Sequence, residues 1–496
     1  MKKYCYLVTI PDHWFDVAKR LYDDKIAEPI IWFGDDRHYT KAKKIFGKNV
    51  INNLIFLHRP YEIPSVEYSG QHIEFFSSKN YLIAKDRCLK LMDRLDLNGS
   101  FNRIDREVYF HNTLLWFLVK FNKEKPDFLV CAEAPHNHVT YLIYEICKFL
   151  KIPSYKFVNS MLAPILSLHN MESGEITPMQ GNSFGKYDKY IDNKIQNFIS
   201  IVKQKNQDYE ISYMADQRKG LYFASKIKQF FSIEIINILK DIKHNLGWYL
   251  LSKYNPINPY NFGVFTRYYI RGKRKKNLKK EFNRNKNMLD LPSKFVYFPL
   301  HYEPERTTLS DGGFFHDQLM ALINLRKSLP KDIQIVLKEH PSQLYSNMRG
   351  SRGRSPLIYN LFKKVKGIKL VGNNYNTIYL IQKSKLVVTI TGTVALEAAI
   401  LEKPSITFGS TWYKGCPNIF EWKDNINLKD IINSKISSSN SVYDFLINHK
   451  NKYHILASMN LNEKDQFPEY FEESFFETEI NNVYKILRQL FENKIK

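Results

Sequence analysis

Residues 386–408 read LVVTITGTVALEAAILEKPSITF, and this stretch decides the fold. Its first five residues are apolar or β-branched without alternation, which suits a strand covered on both faces. A Thr391-Gly392-Thr393 turn follows, and residues 394–401 then carry small and apolar side chains at helical spacing. Pro404 opens a second short run, 404–408, closed by Gly409-Ser410. Strand, tight turn, helix and strand form the building unit of a parallel α/β sheet.

The same alternation extends upstream to about Ser293. Residues 295–300 form an apolar run and residues 317–328 are helical by period. Leu329-Pro330-Lys331-Asp332 is a turn. Residues 333–338 read as a strand ending in Glu339-His340-Pro341, and residues 368–371 as another. Near the N-terminus, residues 4–10 read as a strand stopped by Pro11, and 30–33 as a second ending at Gly34-Asp35-Asp36. Residues 54–57 are expected to form a third. Residues 128–132 are a continuous apolar strand between helical stretches at 109–121 and 139–150, and Lys151-Ile152-Pro153 leads into a further run. Between about 190 and 290 strand-like runs are scarce, and helical stretches such as 227–251 dominate. The expected class is therefore α/β with two Rossmann-like domains facing a cleft. Residues 1–190 and 291–480 form the domains, 191–290 a helical basic insertion, and 481–496 a helix returning to the first. Ligands of such sheets sit at the carboxyl ends of the strands.

Composition bounds the function. With 496 residues, 44% hydrophobic and 15% aromatic, the chain has ample material for two cores, which excludes global disorder and collagen-like or coiled-coil architectures. Lys and Arg number 73 against 50 Asp and Glu, a net charge of +23 that points to an anionic partner: nucleic acid, a phospholipid surface or a phosphorylated substrate. None of the five cysteines falls in a CxxC pair, so neither a zinc site nor a disulfide framework is indicated, and a reducing compartment follows. The opening MKKYCYLVTIPDHW is too short in its apolar run for a signal peptide, and no uncharged stretch reaches bilayer length. A cytoplasmic protein that touches a membrane is the expectation.

Three segments at successive strand ends carry candidate chemistry. In the 389–399 segment, Thr391 or Thr393 can cap the helix, Gly392 allows close backbone approach, and the helix start favours a phosphate. Glu397, one turn in, is placed to accept from ribose hydroxyls. At Lys338-Glu339-His340-Pro341 the imidazole can donate to a phosphate oxygen and assist a departing nucleotide. In the proline-stiffened loop LHYEPERTT, His301, Glu303 and Arg306 can line a cleft. A capped structural helix, an exposed strand end and an ordinary βα loop are the alternatives for each alone. Their convergence on one sheet is stronger than any one of them.

The run FVYFPLHYEPERTT, then VLKEHP, then VVTITGTVALEAAILEKPSITFGSTWY, resembles bacterial capsule polysaccharide glycosyltransferases of the GT-B type. It is similar to the Kdo- and sialic-acid-like transferases that use CMP-activated donors. The resemblance spans residues 293–415 and, more weakly, 100–160. It implies a GT-B-like fold with an N-terminal acceptor domain and a C-terminal nucleotide-sugar domain. It also implies that His340 and Pro341 lie by the donor nucleotide and that Thr391, Gly392 and Thr393 hold the phosphate. Related sialyltransferases carry an acidic pair followed by Gly; here Asp35-Asp36 is preceded by Gly34 and followed by Arg37, so that role does not transfer.

Acceptor-side candidates come from the residues themselves. Glu133 and His136, in Ala132-Glu133-Ala134-Pro135-His136-Asn137-His138, follow the strand at 128–131 and can activate an acceptor hydroxyl. Pairing around the next helix is the plainer alternative. Asp12-His13 and Asp35-Asp36 are weaker candidates of the same type. Residues 267–286 hold ten basic residues and one acid. Lys273, Arg274, Lys275 and Lys276, preceded by Tyr260, Phe262, Phe265, Tyr268 and Tyr269, suit an anionic membrane surface. A solvated helix face is the alternative. Nucleic acid is not the expected partner, because charge alone favours it.

The leading expectation is transfer of an ulosonic acid sugar (Kdo, sialic- or pseudaminic-acid-like) from a CMP donor to a capsular glycan or its lipid-linked form. A UDP-sugar or polyol-phosphate transferase and a nucleic-acid-binding protein are the alternatives. No cofactor or metal is expected, since a CMP-sugar carries one phosphate and no DxD-type motif stands in place.

Overall fold

The computed structural model describes residues 1–34, 36–58, 62–95, 103–179, 184–204, 263–286, 291–304, 307–345, 348, 350–459 and 473–492. The chain divides into two compact units. The first comprises Met1–Leu95, Phe101–Ile195 and Ile447–Lys496, the second Asp96–Ser100 and Gln196–Leu446. The return to the first unit thus comes at Ile447 rather than at 481. The helical stretch expected at 227–251 lies outside the described residues.

The first unit is built on six strands: β1 (Lys2–Leu7), β2 (Ala27–Phe33), β3 (Phe128–Cys131), β4 (Ser154–Asn159), β5 (Ile165–Asn170) and β12 (His454–Leu456). Their order is β12-β5-β4-β3-β1-β2. β2, β1, β3 and β4 are parallel, while β5 pairs antiparallel with both β4 and β12. The parallel expectation therefore holds for four strands and fails at the edge. There a short Ser160–Pro164 connection turns β4 straight back into β5, leaving no length for a crossover helix. Residues 54–57, expected as a strand, lie in the helix Asn53–His58. Four apolar residues do not distinguish the two, and Phe56 is buried from the helix against Phe117 and Trp116. Tyr4, Tyr6, Trp14 and Trp32 form the centre of this core. The helix Glu473–Phe491 closes it: Phe491 meets the rings of Tyr4 and Phe128 at 4.9 and 5.5 Å.

The second unit holds β6 (Phe295–Pro299), β7 (Gln334–Lys338), β8 (Ile368–Val371), β9 (Leu386–Thr389), β10 (Ser405–Thr407) and β11 (Ile419–Glu421). All five pairings are parallel, in the order β11-β10-β9-β6-β7-β8. Val296, Phe298, Ile335, Leu337, Leu386 and Val388 lie in one core, while Tyr297, Val336 and Val387 between them are also buried, as a sheet covered on both faces requires. The basic helix Gly263–Asn285 anchors on this core through Leu278 and Phe282, four residues apart on one face.

Both sheets contain a topological switch point. In the second, the chain steps outward through β6, β7 and β8, then returns beside β6 with β9 and continues the other way. In the first, β2 flanks β1 on one side and β3 on the other. The connections leaving β6 and β9, or β1 and β3, diverge and leave a crevice beyond the strand ends.

Candidate functional site

In the second unit the expected donor residues converge on the β6/β9 switch point. His301 follows β6 by two residues, and its Nε2 lies 3.0 Å from Thr389 Oγ1 at the end of β9. The Ile390 N–H donates to the same nitrogen at 3.3 Å, so the ring proton resides on Nδ1. Thr389 Oγ1 also accepts from the Gly392 N–H at 3.2 Å, which folds the turn back over the imidazole. A Cβ on Gly392 would stand 2.8 Å from Thr389 Oγ1 and 3.3 Å from His301 Cε1. Only glycine permits that approach. Tyr413 fixes the turn from behind by donating to the Gly392 carbonyl at 2.6 Å.

The capping expectation needs correction. Thr393 occupies the N-cap of the helix Val394–Ile400, but neither its helical backbone (φ −60°, ψ −14°) nor its hydroxyl follows a capping pattern. The hydroxyl instead donates to Glu397 Oε1 at 3.5 Å, and Glu397 itself is buried. Thr391 to Glu397 thus present a turn held by His301, Thr389 and Tyr413 and not by a threonine cap.

The loops after β6 and β7 are tied together. Gln318 takes the place of a missing strand neighbour: its Oε1 accepts from the His301 N–H at 2.8 Å and its Nε2 donates to Glu303 Oε1 at 2.7 Å. Gln343 does the same for Glu303, accepting from its N–H at 2.6 Å and donating to its carbonyl at 2.9 Å. His340 precedes the short Pro341–Leu344 turn, and its Nδ1 accepts from the Ser342 N–H at 3.3 Å. The Nε2 nitrogen therefore carries the proton and is a donor. Lys338, the last residue of β7, is 5% exposed and donates to Thr377 Oγ1 at 2.8 Å. Arg306 lies outside the described residues.

Burial and cationic neighbours keep both imidazoles neutral. His301 is lowered to about 3, by burial first and then by His340 and Arg354. His340 is lowered to about 4, by burial, Arg354 and Lys338. Glu339, 0% exposed, accepts from its neighbour's His340 N–H at 2.9 Å and from the Tyr359 hydroxyl at 2.8 Å, with Arg354 Nε 3.5 Å from its Oε2. Burial raises its carboxyl despite these partners.

Arg354, Gln318 and Gln343 escaped sequence reading. The available signal was Gly350-Ser351-Arg352-Gly353: a Cβ on Gly353 would lie 2.3 Å from Pro304 N. That glycine lets the loop bearing Arg354 press against the Glu303-Pro304 backbone.

The acceptor candidates belong to the first unit, at the β1/β3 switch point. Glu133 Oε1 and His136 Nδ1 are 2.9 Å apart beyond β3. The following helix, His138–Phe149, is capped by Asn137, whose side chain accepts from Val139 and Thr140, so the Glu133–His136 pair is not consumed in capping. His13 is a different matter. It is fully buried, its Nδ1 lies 3.7 Å from Glu479 Oε2, and burial holds it near 3. It is a core histidine. Asp12, beside it, is exposed and lies 3.6 Å from His38 Nδ1. Asp35 lies outside the described residues, and Asp36 opens the helix Asp36–Phe46.

On the basic helix, Lys273, Arg274 and Lys276 are exposed and Lys275 half-buried. Tyr260 and Phe262, and the side chains of Phe265, Tyr268 and Tyr269, lie outside the described residues. Among the described residues no helix is long and apolar enough to cross a membrane, and no group of three or more His, Cys, Asp or Glu is placed to hold a metal ion.

The second sheet's strand order is that of a doubly wound α/β unit. Residues 223–417 match the model of the capsule polysaccharide biosynthesis protein family, and the resemblance carried by residues 293–415 falls within that match. No curated protein matches the sequence significantly. Among solved structures, the chain is similar to two transferase structures of KpsC from Thermosulfurimonas dismutans. The β-Kdo 2,4 transferase is 17% identical, with 38% of this chain and 66% of that chain covered and a TM-score of 0.22. The β-Kdo 2,7 transferase is 12% identical, with 71% and 97% covered and a TM-score of 0.26. UDP-GlcNAc 2-epimerase from Methanocaldococcus jannaschii is 13% identical, with 90% and 98% covered and a TM-score of 0.23. The chain spans just under two thirds of the 2,4 transferase.

Proposed function

We propose that the chain is a glycosyltransferase that moves an ulosonic acid sugar, Kdo, sialic- or pseudaminic-acid-like, from a CMP donor to a capsular polysaccharide or lipid-linked glycan acceptor. The observation that supports this most is the His301–Thr389–Gly392 lock at the β6/β9 switch point, with His340 and Lys338 on the adjoining strand end. Open α/β sheets hold nucleotide ligands at that place. The loop after β6, Leu300-His301-Tyr302-Glu303, contains no glycine, so the pyrophosphate-cradling fingerprint of dinucleotide sites is missing and a single phosphate suits the crevice better. In this reading neutral His340 donates through Nε2 to the phosphate as the CMP leaves, and buried Lys338 adds positive potential. Glu397 serves ribose recognition and Glu303 lines the pocket. Glu133, oriented by His136, accepts the proton of the acceptor hydroxyl. No metal or cofactor enters the reaction. Thermal stabilisation by CMP, and not by UMP or an oligonucleotide, tests the donor class. A screen of CMP-sugars with a synthetic acceptor then tests the transfer.

His340→Ala is expected to weaken donor use by about ten- to a hundredfold, the worth of a hydrogen bond to a charged group, and Thr393→Ala to weaken it less, because its hydroxyl hydrogen goes to Glu397. Far-UV circular dichroism should be unchanged. Glu397→Gln should raise KM more than it lowers kcat. Wild-type KM and kcat in the first two variants would remove both residues from the donor site.

The exposed basic helix fits peripheral attachment to anionic lipid at the inner face of the cytoplasmic membrane. Seven of residues 271–280 are basic. At about 1 kcal/mol per basic residue near such a surface, the attraction reaches several kcal/mol. The protein should sediment with anionic vesicles at low salt and leave them at high salt, where the Debye length shortens to about 3 Å. Gln at Lys273, Arg274, Lys275 and Lys276 should abolish sedimentation and spare activity on a soluble acceptor. Indifference of the wild type to vesicles at low salt would reduce the helix to a solvated face.

A further inference from the structure

We propose that Arg354 supplies the charged contact to the phosphate of a nucleoside monophosphate moiety bound in the second unit's crevice. This rests on the donor-site reading and names the residue that reads the anion. Arg354 is 4% exposed. Its Nη2 donates to the His301 carbonyl at 2.6 Å, and its Nε lies 3.5 Å from Glu339 Oε2. Nη1 has no hydrogen-bond partner among the described residues, and unlike Nε it is not sealed from solvent. A guanidinium held this deep with an unspent donor is half of an interaction.

The surroundings favour an anion as the other half. Both carboxylates of the cluster are already engaged. Glu339 accepts from the His340 N–H and the Tyr359 hydroxyl, and Glu303 accepts from Gln318. The Arg354 carbonyl contact fixes the guanidinium beside His301, at the strand end where the switch point opens. Arg354 also lies within electrostatic reach of His340, whose Nε2–H is the second available donor. A phosphate with several acceptor oxygens can take both donors, and an N⁺–H···O⁻ bond is about twice as strong as a neutral one. One Nη2 hydrogen is committed to the His301 carbonyl, so Nη1, with both hydrogens open, is the nitrogen that faces the anion.

Arg354 also has a structural duty toward Glu339, so the test must separate the two. The full chain is titrated calorimetrically with CMP and with cytidine in three forms: wild type, Glu339→Gln, and Glu339→Gln combined with Arg354→Met. The double variant removes both members of a buried pair, a change that is often tolerated. The wild type should bind CMP about ten- to a hundredfold more tightly than cytidine. Glu339→Gln should keep that ratio. In the double variant the ratio should fall toward one while cytidine binding is retained. A ratio that survives in the double variant, or CMP and cytidine weakened together, overturns the role of Arg354 and leaves the donor site standing. A wild type that binds neither compound overturns both.

Discussion

Glu133→Gln is expected to lower kcat by about 10²–10⁴-fold, the usual contribution of a positioned general base, with donor binding nearly unchanged. The substitution keeps size and shape but removes the carboxylate that His136 orients beyond β3. His136 Nδ1 stands 2.9 Å from Glu133 Oε1, and Asn137, not Glu133, caps the next helix. His136→Ala should have a smaller effect on kcat, because it removes the orienting partner and leaves the base. The check is steady-state kinetics with a CMP-sugar and soluble acceptor, alongside CMP affinity. Near-normal turnover in Glu133→Gln would move the base elsewhere, with exposed Asp12 next in line.

Arg354→Met alone is expected to cost about 3–5 kcal/mol of stability at neutral pH, because it strands a buried carboxylate. Glu339 is 0% exposed and its carboxyl is raised above 4.5 by burial even with Arg354 in place. Without the guanidinium it rises further. A carboxyl raised in the folded state binds its proton more tightly there, so the deficit is absent below 4.5 and grows as pH climbs through the folded value. Urea midpoints of the variant should therefore approach those of the wild type as pH falls toward 4.5 and separate as it rises. Adding Glu339→Gln should flatten that dependence. A deficit of constant size across this range would locate the cost in lost packing around the arginine stem.

The second unit was almost fully legible because its strands are covered on both faces. The largely apolar runs 295–300, 333–338 and 386–390 each became a strand, and each strand end leads into a candidate site segment. The first unit was legible at β1, β2, β3 and the β4 run after Pro153. β5, with Ser167, His169 and Asn170, does not look like a buried strand by composition, and the three-residue β12 is too short to carry a period. Both owe their place to pairing partners far along the chain. The site followed the same logic. His301, His340 and Gly392 announce themselves at strand ends. Arg354 sits in an irregular loop, and its importance comes from Glu339 and the His301 carbonyl, which sequence does not bring near it. The threonine caps failed because hydroxyl orientation depends on Glu397 one turn later.

The return of the chain at Ile447 sets an order of assembly on the ribosome. The second unit's six strands are complete by Glu421 and the unit ends at Leu446, so it can close before β12 is made. The first unit, although it begins at Met1, must wait for β12 and the helix Glu473–Phe491. Until then Tyr4, Phe128 and the buried face of His13–Asp23 lack their cover. Tyr484 supplies the final clasp, donating to Asp24 Oδ2 at 2.5 Å beneath the Arg20 guanidinium, 4.4 Å from its ring. Strands β1–β5 can pair among themselves early, but the β5 edge that takes β12 and the apolar face that takes Glu473–Phe491 stay open until the chain returns, and these are what a chaperone would have to shelter.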